Sequence, residues 1–257
     1  MLKPDRKTKL FILLGSFFVT NAIIAEFIGA KIFSLEGTLG IKKFDISILG
    51  FEHLSFELTC GVILWPVVFI MTDIINEYYG KDGVRRLSYI AAGMIAYAFV
   101  MVYLSIGASP AGWWLDSGKN AGIPNMQTAF GGVFGQGLWI IIGSLVAFLV
   151  GQLVDVYVFH WLKTSSNEKY LWLRSTGSTL VSQLIDSFVV LFIAFYIGNN
   201  WSMTQVLAIG LMNYIYKFTV AVLMTPVIYL LHHQIDKYLG KDLSDKLVKS
   251  ADQQYES

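Results

Sequence analysis

Six stretches of the chain stay mostly apolar for about 20 residues or more, the length a helix needs to cross the hydrocarbon core of a bilayer. They run roughly over 10–33, 59–79, 87–107, 135–160, 177–198 and 203–231. Each is too long for a strand, so the pattern predicts six transmembrane helices in one domain, 1–235. The first carries Asn21 and Glu26 and has no small-x-small cleavage site, so it reads as a retained helix rather than a signal peptide. Between the first two spans, Phe44, Ile46 and Ile48 alternate with Asp45 and Ser47, and Leu54, Phe56 and Leu58 repeat the alternation after Gly50. That period of two predicts a small hairpin within 34–58. The connection 108–134 is rich in Gly, Pro and Asn and holds Trp113 and Trp114, residues suited to the membrane interface. Residues 236–257 mix charges of both signs and read as a charged cytoplasmic tail, frayed and solvated.

The basic residues orient the spans. Fourteen of the 19 fall before span one, in the second and fourth connections, and in the tail; Lys3, Lys163, Lys169 and Arg174 are among them. Four (Lys31, Lys42, Lys43 and Lys119) fall on the opposite side. The positive-inside rule then places both termini in the cytoplasm. The last one, Lys217, sits inside span six.

Composition agrees with a polytopic all-α membrane protein. The 257 residues are 55% hydrophobic and only 14% charged, against about 25% charged in a soluble domain. A net charge of +1 gives no field to attract nucleic acid. The lone Cys60 excludes an internal disulfide and any cysteine-based metal cluster, and no metal or cofactor is expected. No G-x-x-x-x-G-K-[ST], G-x-S-x-G or H-E-x-x-H occurs, nor the G-x-G-D of intramembrane aspartyl proteases, so enzyme readings are weak. His53, His160, His232 and His233 lie at loop or interfacial positions, and the His232–His233 pair reads as an interface feature.

The informative residues are polar groups inside the spans, where each ionisable side chain costs about 2.5–3.5 kcal/mol. Five spans carry them: Asn21 and Glu26; Asp73, Asn76 and Glu77; Gln152 and Asp155; Gln183 and Asp186; Asn213 and Lys217. Span three has none, and its Ala91, Ala92, Gly93 and Ala96 suit close helix packing. In Gln152-x-x-Asp155 and Gln183-x-x-Asp186 the spacing of three puts amide and carboxylate on one helix face. Gly143-Ser144 precedes the first pair and Gly177-Ser178 the second, a hint of an inverted repeat. Amides, carboxylates and one lysine make a cavity with donors and acceptors but no nucleophile. A carboxylate accepts two parallel N–H bonds and an amide or lysine donates to a carbonyl, which suits a planar, nearly neutral heterocycle such as a guanine-like ring. Tyr78, Phe188, Tyr214 and Tyr216 are candidate stacking rings. Five acids against one mid-span base leave full charge pairing out of reach, so some acids are protonated, face water or await a ligand. Asp73, Glu77 and Asp155 fall in the cytoplasmic half of their spans and serve equally well as anchors, gate residues or ligand contacts.

Four segments together resemble one family: Thr72-Asp73-Ile74-Ile75-Asn76-Glu77-Tyr78-Tyr79-Gly80; Gln152-x-x-Asp155; Arg174-Ser175-Thr176-Gly177-Ser178 running into Ser182-Gln183-x-x-Asp186-Ser187; and Asn213-Tyr214-x-x-Lys217 followed by Pro226. They are similar to the queuosine precursor transporters, also known as vitamin uptake transporter-like proteins, over spans two to six. The resemblance implies a six-helix importer of 7-cyano- or 7-aminomethyl-7-deazaguanine in the bacterial inner membrane, serving queuosine salvage for tRNA. It also implies an architecture similar to the substrate-capture subunits of energy-coupling-factor vitamin importers. The expected partners are the small-molecule base and the lipid bilayer, with self-association open and no ATPase required. A capture subunit docked on an ATPase is the alternative. The expected substrate contacts are Gln152, Asp155, Gln183, Asp186, Asn213, Lys217, Asn21 and Glu26, with Asp73, Asn76 and Glu77 at an inner gate or in the pocket. The longer loop 34–58 and the tail depart from the family minimum.

Overall fold

The computed structural model describes residues 5–166 and 170–256; Lys3, Lys169 and Ser257 lie outside them. Helix α1 spans Arg6–Ile28, and the Asp5 carboxylate caps it by accepting from the Thr8 amide at 2.8 Å. Strand β1 (Ile32–Ser34), a short α2 (Leu35–Leu39), β2 (Ile46–Ile48), β3 (Phe51–Leu54) and β4 (Glu57–Thr59) follow. A 3₁₀ turn over Cys60–Ile63 leads into α3 (Trp65–Gly107), with Pro66 in its first turn. Helices α4 (Gly112–Leu115) and α5 (Met126–Phe134) precede α6 (Leu138–Ser165). The long α7 (Leu171–Leu191) runs on through a π turn at Phe192–Ile197, and α8 (Met203–Leu239) and α9 (Lys241–Glu256) complete the chain. Among the described residues, five helical segments are long and apolar enough to cross a membrane.

The 43-residue α3 is interrupted at Gly80, whose φ of 71° and ψ of −173° break the helix. Its two arms run opposite ways along α1. Toward one end, Tyr79 meets Phe11 at 4.9 Å between ring centres and its hydroxyl donates to the Lys7 carbonyl. Toward the other, Gly61 lies against the Ala25 carbonyl, so close that a Cβ there would sit 2.7 Å from its oxygen. Beyond Gly80 the chain returns, with Leu87 against Gly15 and Phe99 5.5 Å from Phe27. Glycines also bring other helices together: Gly143 and Gly151 let α6 approach α7, and Gly210 faces the Phe188 ring. The core holds Phe18, Ala22, Val68, Ile74, Ile95 and Phe148. Large apolar side chains also face outward, Leu223 at 71% exposure among them, which fits a lipid-facing surface.

In the 34–58 region, β2 and β3 pair antiparallel through a turn at Leu49–Gly50. A second two-stranded ladder pairs β1 with β4 and takes Leu58 away from that hairpin. The buried Glu36 ties the two together by accepting from the Phe56 amide at 2.9 Å.

The C-terminal segment corrects the sequence reading. Residues 241–256 are a helix rather than a frayed, solvated extension. Leu243, Leu247, Ala251 and Tyr255 recur every fourth residue, and Leu247 is only 4% exposed. This stripe packs on α3 and α8, while Lys241, Asp242, Asp245, Lys246 and Lys249 face away. The mixed charges of the segment are the solvated side of an amphipathic helix.

Candidate functional site

Two groups of polar side chains occupy the bundle. The first lies near the α9 end. Glu77 on α3 meets Arg174 of α7 at 2.9 Å and Lys163 of α6 at 3.5 Å, and Lys163 also pairs with Asp252 of α9 at 2.7 Å. The sequence pattern puts Lys163 and Arg174 in a solvated connection and leaves Lys217 as the one base available to five acids. The structure corrects that placement: α6 continues to Ser165 and α7 starts at Leu171, so both bases are carried on helices and buried against Glu77. Asn76 accepts from the Tyr255 hydroxyl at 2.5 Å, and burial holds that phenol's pKa above its ordinary value. The Tyr255 ring stacks on His160 at 3.8 Å. Tyr78 donates to Asp236 at 2.8 Å and lies 3.3 Å from Nδ1 of His232, which is buried on α8.

Gln254 completes this end. Its Nε2 donates to the Tyr79 carbonyl and its Oε1 accepts from the Asp82 amide, both at 3.1 Å. It therefore satisfies backbone groups on either side of the break at Gly80. A side chain at position 80 would collide with Gln254, so glycine supplies room as well as the positive φ.

The second group lines a partly open cavity between the first arm of α3, α7 and α8. Its polar lining comes from Asp73, Thr176, Thr179, Gln183, Tyr216 and Lys217, and Trp65 and Phe69 add aromatic wall. Lys217 is held by Asp186 at 2.5 Å. Asp73 accepts from the Ser175 hydroxyl. Asp155, fully buried behind Asp73, accepts from Ser182 at 3.1 Å, and the two carboxyls lie within hydrogen-bond reach of each other. Gln183 Nε2 is buried without a hydrogen-bond partner, while the second oxygens of Asp73 and Asp155, which have no other hydrogen-bond partner, are left to the carboxyl–carboxyl contact.

The remaining positions separate. Gln152 points away from this cavity, accepting from Thr72 at 2.9 Å and Ser88 at 3.4 Å, and lines a smaller space between α6 and the second arm of α3. The two Q-x-x-D pairs thus meet unlike neighbours. Asn21 donates to the Phe17 carbonyl of its own helix at 2.8 Å. Glu26 accepts from Ser144 at 2.8 Å. Asn213 is half-buried one turn before Lys217 and is not part of the cavity lining. Of the four candidate rings, Tyr216 alone lines the larger cavity. Sequence reasoning missed Trp65, Phe69, Thr176 and Thr179. The run Ser175-Thr176-Gly177-Ser178-Thr179 was the one visible signal for the two threonines, a polar patch in an apolar helix.

The sequence profile described as "Putative vitamin uptake transporter" matches residues 59–231. The chain belongs to that family. The match takes in α3, α6 and α7 and most of α8, and so every residue lining the cavity between α3, α7 and α8. The family's profile leaves α1, most of the β ladders and α9 outside it. A "Probable queuosine precursor transporter" of Bacillus subtilis (strain 168) is 32% identical over 183 residues, covering 69% of this chain and 73% of the relative. A "Queuosine precursor transporter" of Escherichia coli (strain K12) is 29% identical over 71% of this chain and 73% of the relative. A "Probable queuosine precursor transporter" of Haemophilus influenzae (strain ATCC 51907 / DSM 11121 / KW20 / Rd) is 28% identical over 66% of each chain. No solved structure matches the chain. It is a multi-pass membrane protein of a transporter family, with a small molecule as its cargo.

Proposed function

We propose that this chain imports queuosine precursors, 7-cyano- or 7-aminomethyl-7-deazaguanine, across the bacterial inner membrane through the cavity between α3, α7 and α8. One observation carries the reading: in a chain of this family, a partly open cavity sets carboxylate, amide and ammonium groups among Trp65, Phe69 and Tyr216. That lining suits a flat, polar, nearly neutral ring. The names of the relatives supply the substrate class.

The same proposal includes six spans with both termini cytoplasmic. The second arm of α3, 81–107, is about 40 Å long and crosses the hydrocarbon alone. The first arm with its preceding turn crosses in the other direction. Arg6 donates to the Tyr238 carbonyl at 3.2 Å, which supports the start of α1 and the end of α8 lying at one face. The basic residues gather at that face. Asn76 and Glu77, tied down by α6, α7 and α9, then form an inner closure, and Asp73 belongs to the pocket. Import proceeds as alternating access: the ion pairs beneath Glu77 open as the cavity's outer side closes. The proposal is of an importer that works without an ATPase.

The test is rescue of a bacterial strain lacking both queuosine synthesis and its own importer. Given the 7-cyano compound at roughly nanomolar levels, far below those at which leakage matters, cells expressing this chain regain queuosine in tRNA. Asp186→Asn abolishes the rescue while the protein stays abundant in the membrane. No rescue by abundant wild-type protein would overturn the substrate assignment.

A further inference from the structure

We propose that Asp73 and Asp155 hold one proton between them, and that this proton is the coupling ion, carried inward with each molecule of neutral base. The proposal rests on the import reading and adds what drives it. Asp73 on α3 and Asp155 on α6 are both 0% exposed, and their carboxyls lie in contact. A hydroxyl takes one oxygen of each: Ser175 donates to Asp73, and Ser182 to Asp155 at 3.1 Å. The other oxygens, Asp73 Oδ1 and Asp155 Oδ2, are buried with no hydrogen-bond partner and are left to the contact. Two carboxylates cannot both stay ionised side by side away from water. One shared proton removes the repulsion and gives both idle oxygens a partner, one as donor and one as acceptor.

The surrounding charges leave the role to a proton. Among the described residues neither carboxyl forms an ion pair, because the bases of the bundle sit on other acids. Lys163 of α6 and Arg174 of α7 meet Glu77, and Lys217 of α8 meets Asp186. The remaining titratable groups on the packed elements have partners of their own. Tyr255 of α9 donates to Asn76, His232 of α8 lies against Tyr78, and Glu26 of α1 accepts from Ser144.

Position supplies the coupling. Asp73 lines the cavity, so a bound base covers it and keeps water from the pair. A covered pair needs its proton, whereas a water-filled cavity lets Asp73 ionise, so proton and base are taken up together. Glu77 follows Asp73 by about one turn of α3, and Lys163 follows Asp155 by about two turns of α6. Both stretches run toward α9, which makes the carboxyl pair and the Glu77–Lys163 pair successive rungs across one seam. Opening the inner closure parts α3 from α6 at both rungs. Each carboxyl then meets cytoplasmic water, the proton leaves with the base, and the emptied site returns ionised. One proton passes from the outer water to the pair and from the pair to the cytoplasm, so one positive charge moves inward and no bond of the base changes.

The experiment is uptake of radiolabelled 7-cyano-7-deazaguanine by proteoliposomes holding the purified full chain, with equal potassium on both sides and a potassium ionophore keeping the membrane potential at zero. With the outside more acid by about one pH unit, one proton per base drives accumulation of about tenfold, and a proton ionophore brings the plateau back to equal concentrations. In Asp155→Asn the amide N–H donates to Asp73 where the shared proton did, so the contact survives and no proton is exchanged. Its uptake stops at equal concentrations with or without the acid gradient. A merely structural role for Asp155 would slow uptake and leave the plateau ratio as in wild type, which would overturn the assignment to this pair. The wild-type arms need no variant to fold. A wild-type plateau at equal concentrations under the acid gradient, or one that follows an imposed sodium gradient instead, would overturn proton coupling and leave import standing. No uptake by folded wild-type protein would remove the import reading and this one with it.

Discussion

The α9 end and the cavity are built from the same residue types and treat them oppositely. At the α9 end, acids face bases across helices: Glu77 has Arg174 and Lys163, Asp252 has Lys163, and Asp236 has Tyr78 and Ser244. In the cavity one ion pair, Asp186–Lys217, is closed, Asp73 lies against Asp155, and Gln183 keeps a buried donor without a partner. The first arrangement holds helices together. The second leaves hydrogen-bonding capacity for a visitor. Buried atoms without a hydrogen-bond partner occur in both regions, Asn76 Nδ2 and His232 Nε2 at the α9 end among them, so what distinguishes the α9 end is its closed network of ion pairs.

Substitutions at the two regions should fail in different ways. The largest expected effect is Arg174→Met, which strips Glu77 of its nearer partner and leaves a buried carboxylate under-compensated. We expect a loss of about 3–5 kcal/mol in stability, read as a lowered unfolding temperature in detergent, and a loss below about 1 kcal/mol, the range of an exposed pair, would show that this end is not the structural one. Next is Asp186→Asn. It too breaks a largely buried pair and should cost stability, though less than Arg174→Met because this pair is more exposed, while uptake disappears because it frees a cation on the cavity wall; adding Lys217→Met should restore part of the stability and of that uptake. A fall in stability as large as that of Arg174→Met would erase the contrast. Gly80→Ala should cost about 1–3 kcal/mol through its positive φ, more in the full chain than in one ending at Gly240, since only the full chain has Gln254 to displace. Tyr255→Phe, which loses one bond to Asn76, should cost about 1 kcal/mol. Lys43→Ala should change nothing measurable, because its pair with Glu57 is solvent-exposed.

The helices and the polar inventory were legible because both depend on local composition. A run of about 20 apolar residues reads as a membrane helix whatever its neighbours, and an acid within it stands out. What the acids face was not legible. Gln152 and Gln183 sit in the same four-residue motif, yet one accepts from Thr72 and Ser88 and the other lines the cavity; the packing of α3 between α6 and α8 decides this. Helix length hid Lys163 and Arg174, since the apolar windows ended before the helices did. The α9 stripe was overlooked because its four apolar positions are diluted by charge, and a period of four shows only when positions are taken one turn at a time. Trp65 and Phe69 gave no signal, because an aromatic residue in a membrane span looks the same whether it faces lipid or a cavity.

The most direct test is uptake of radiolabelled 7-cyano-7-deazaguanine into proteoliposomes containing only this purified chain, with no nucleotide present. The account predicts saturable uptake that Asp186→Asn removes and an excess of unlabelled 7-deazaguanine suppresses. Uptake no faster than in protein-free liposomes, from protein that is folded and inserted, would contradict it.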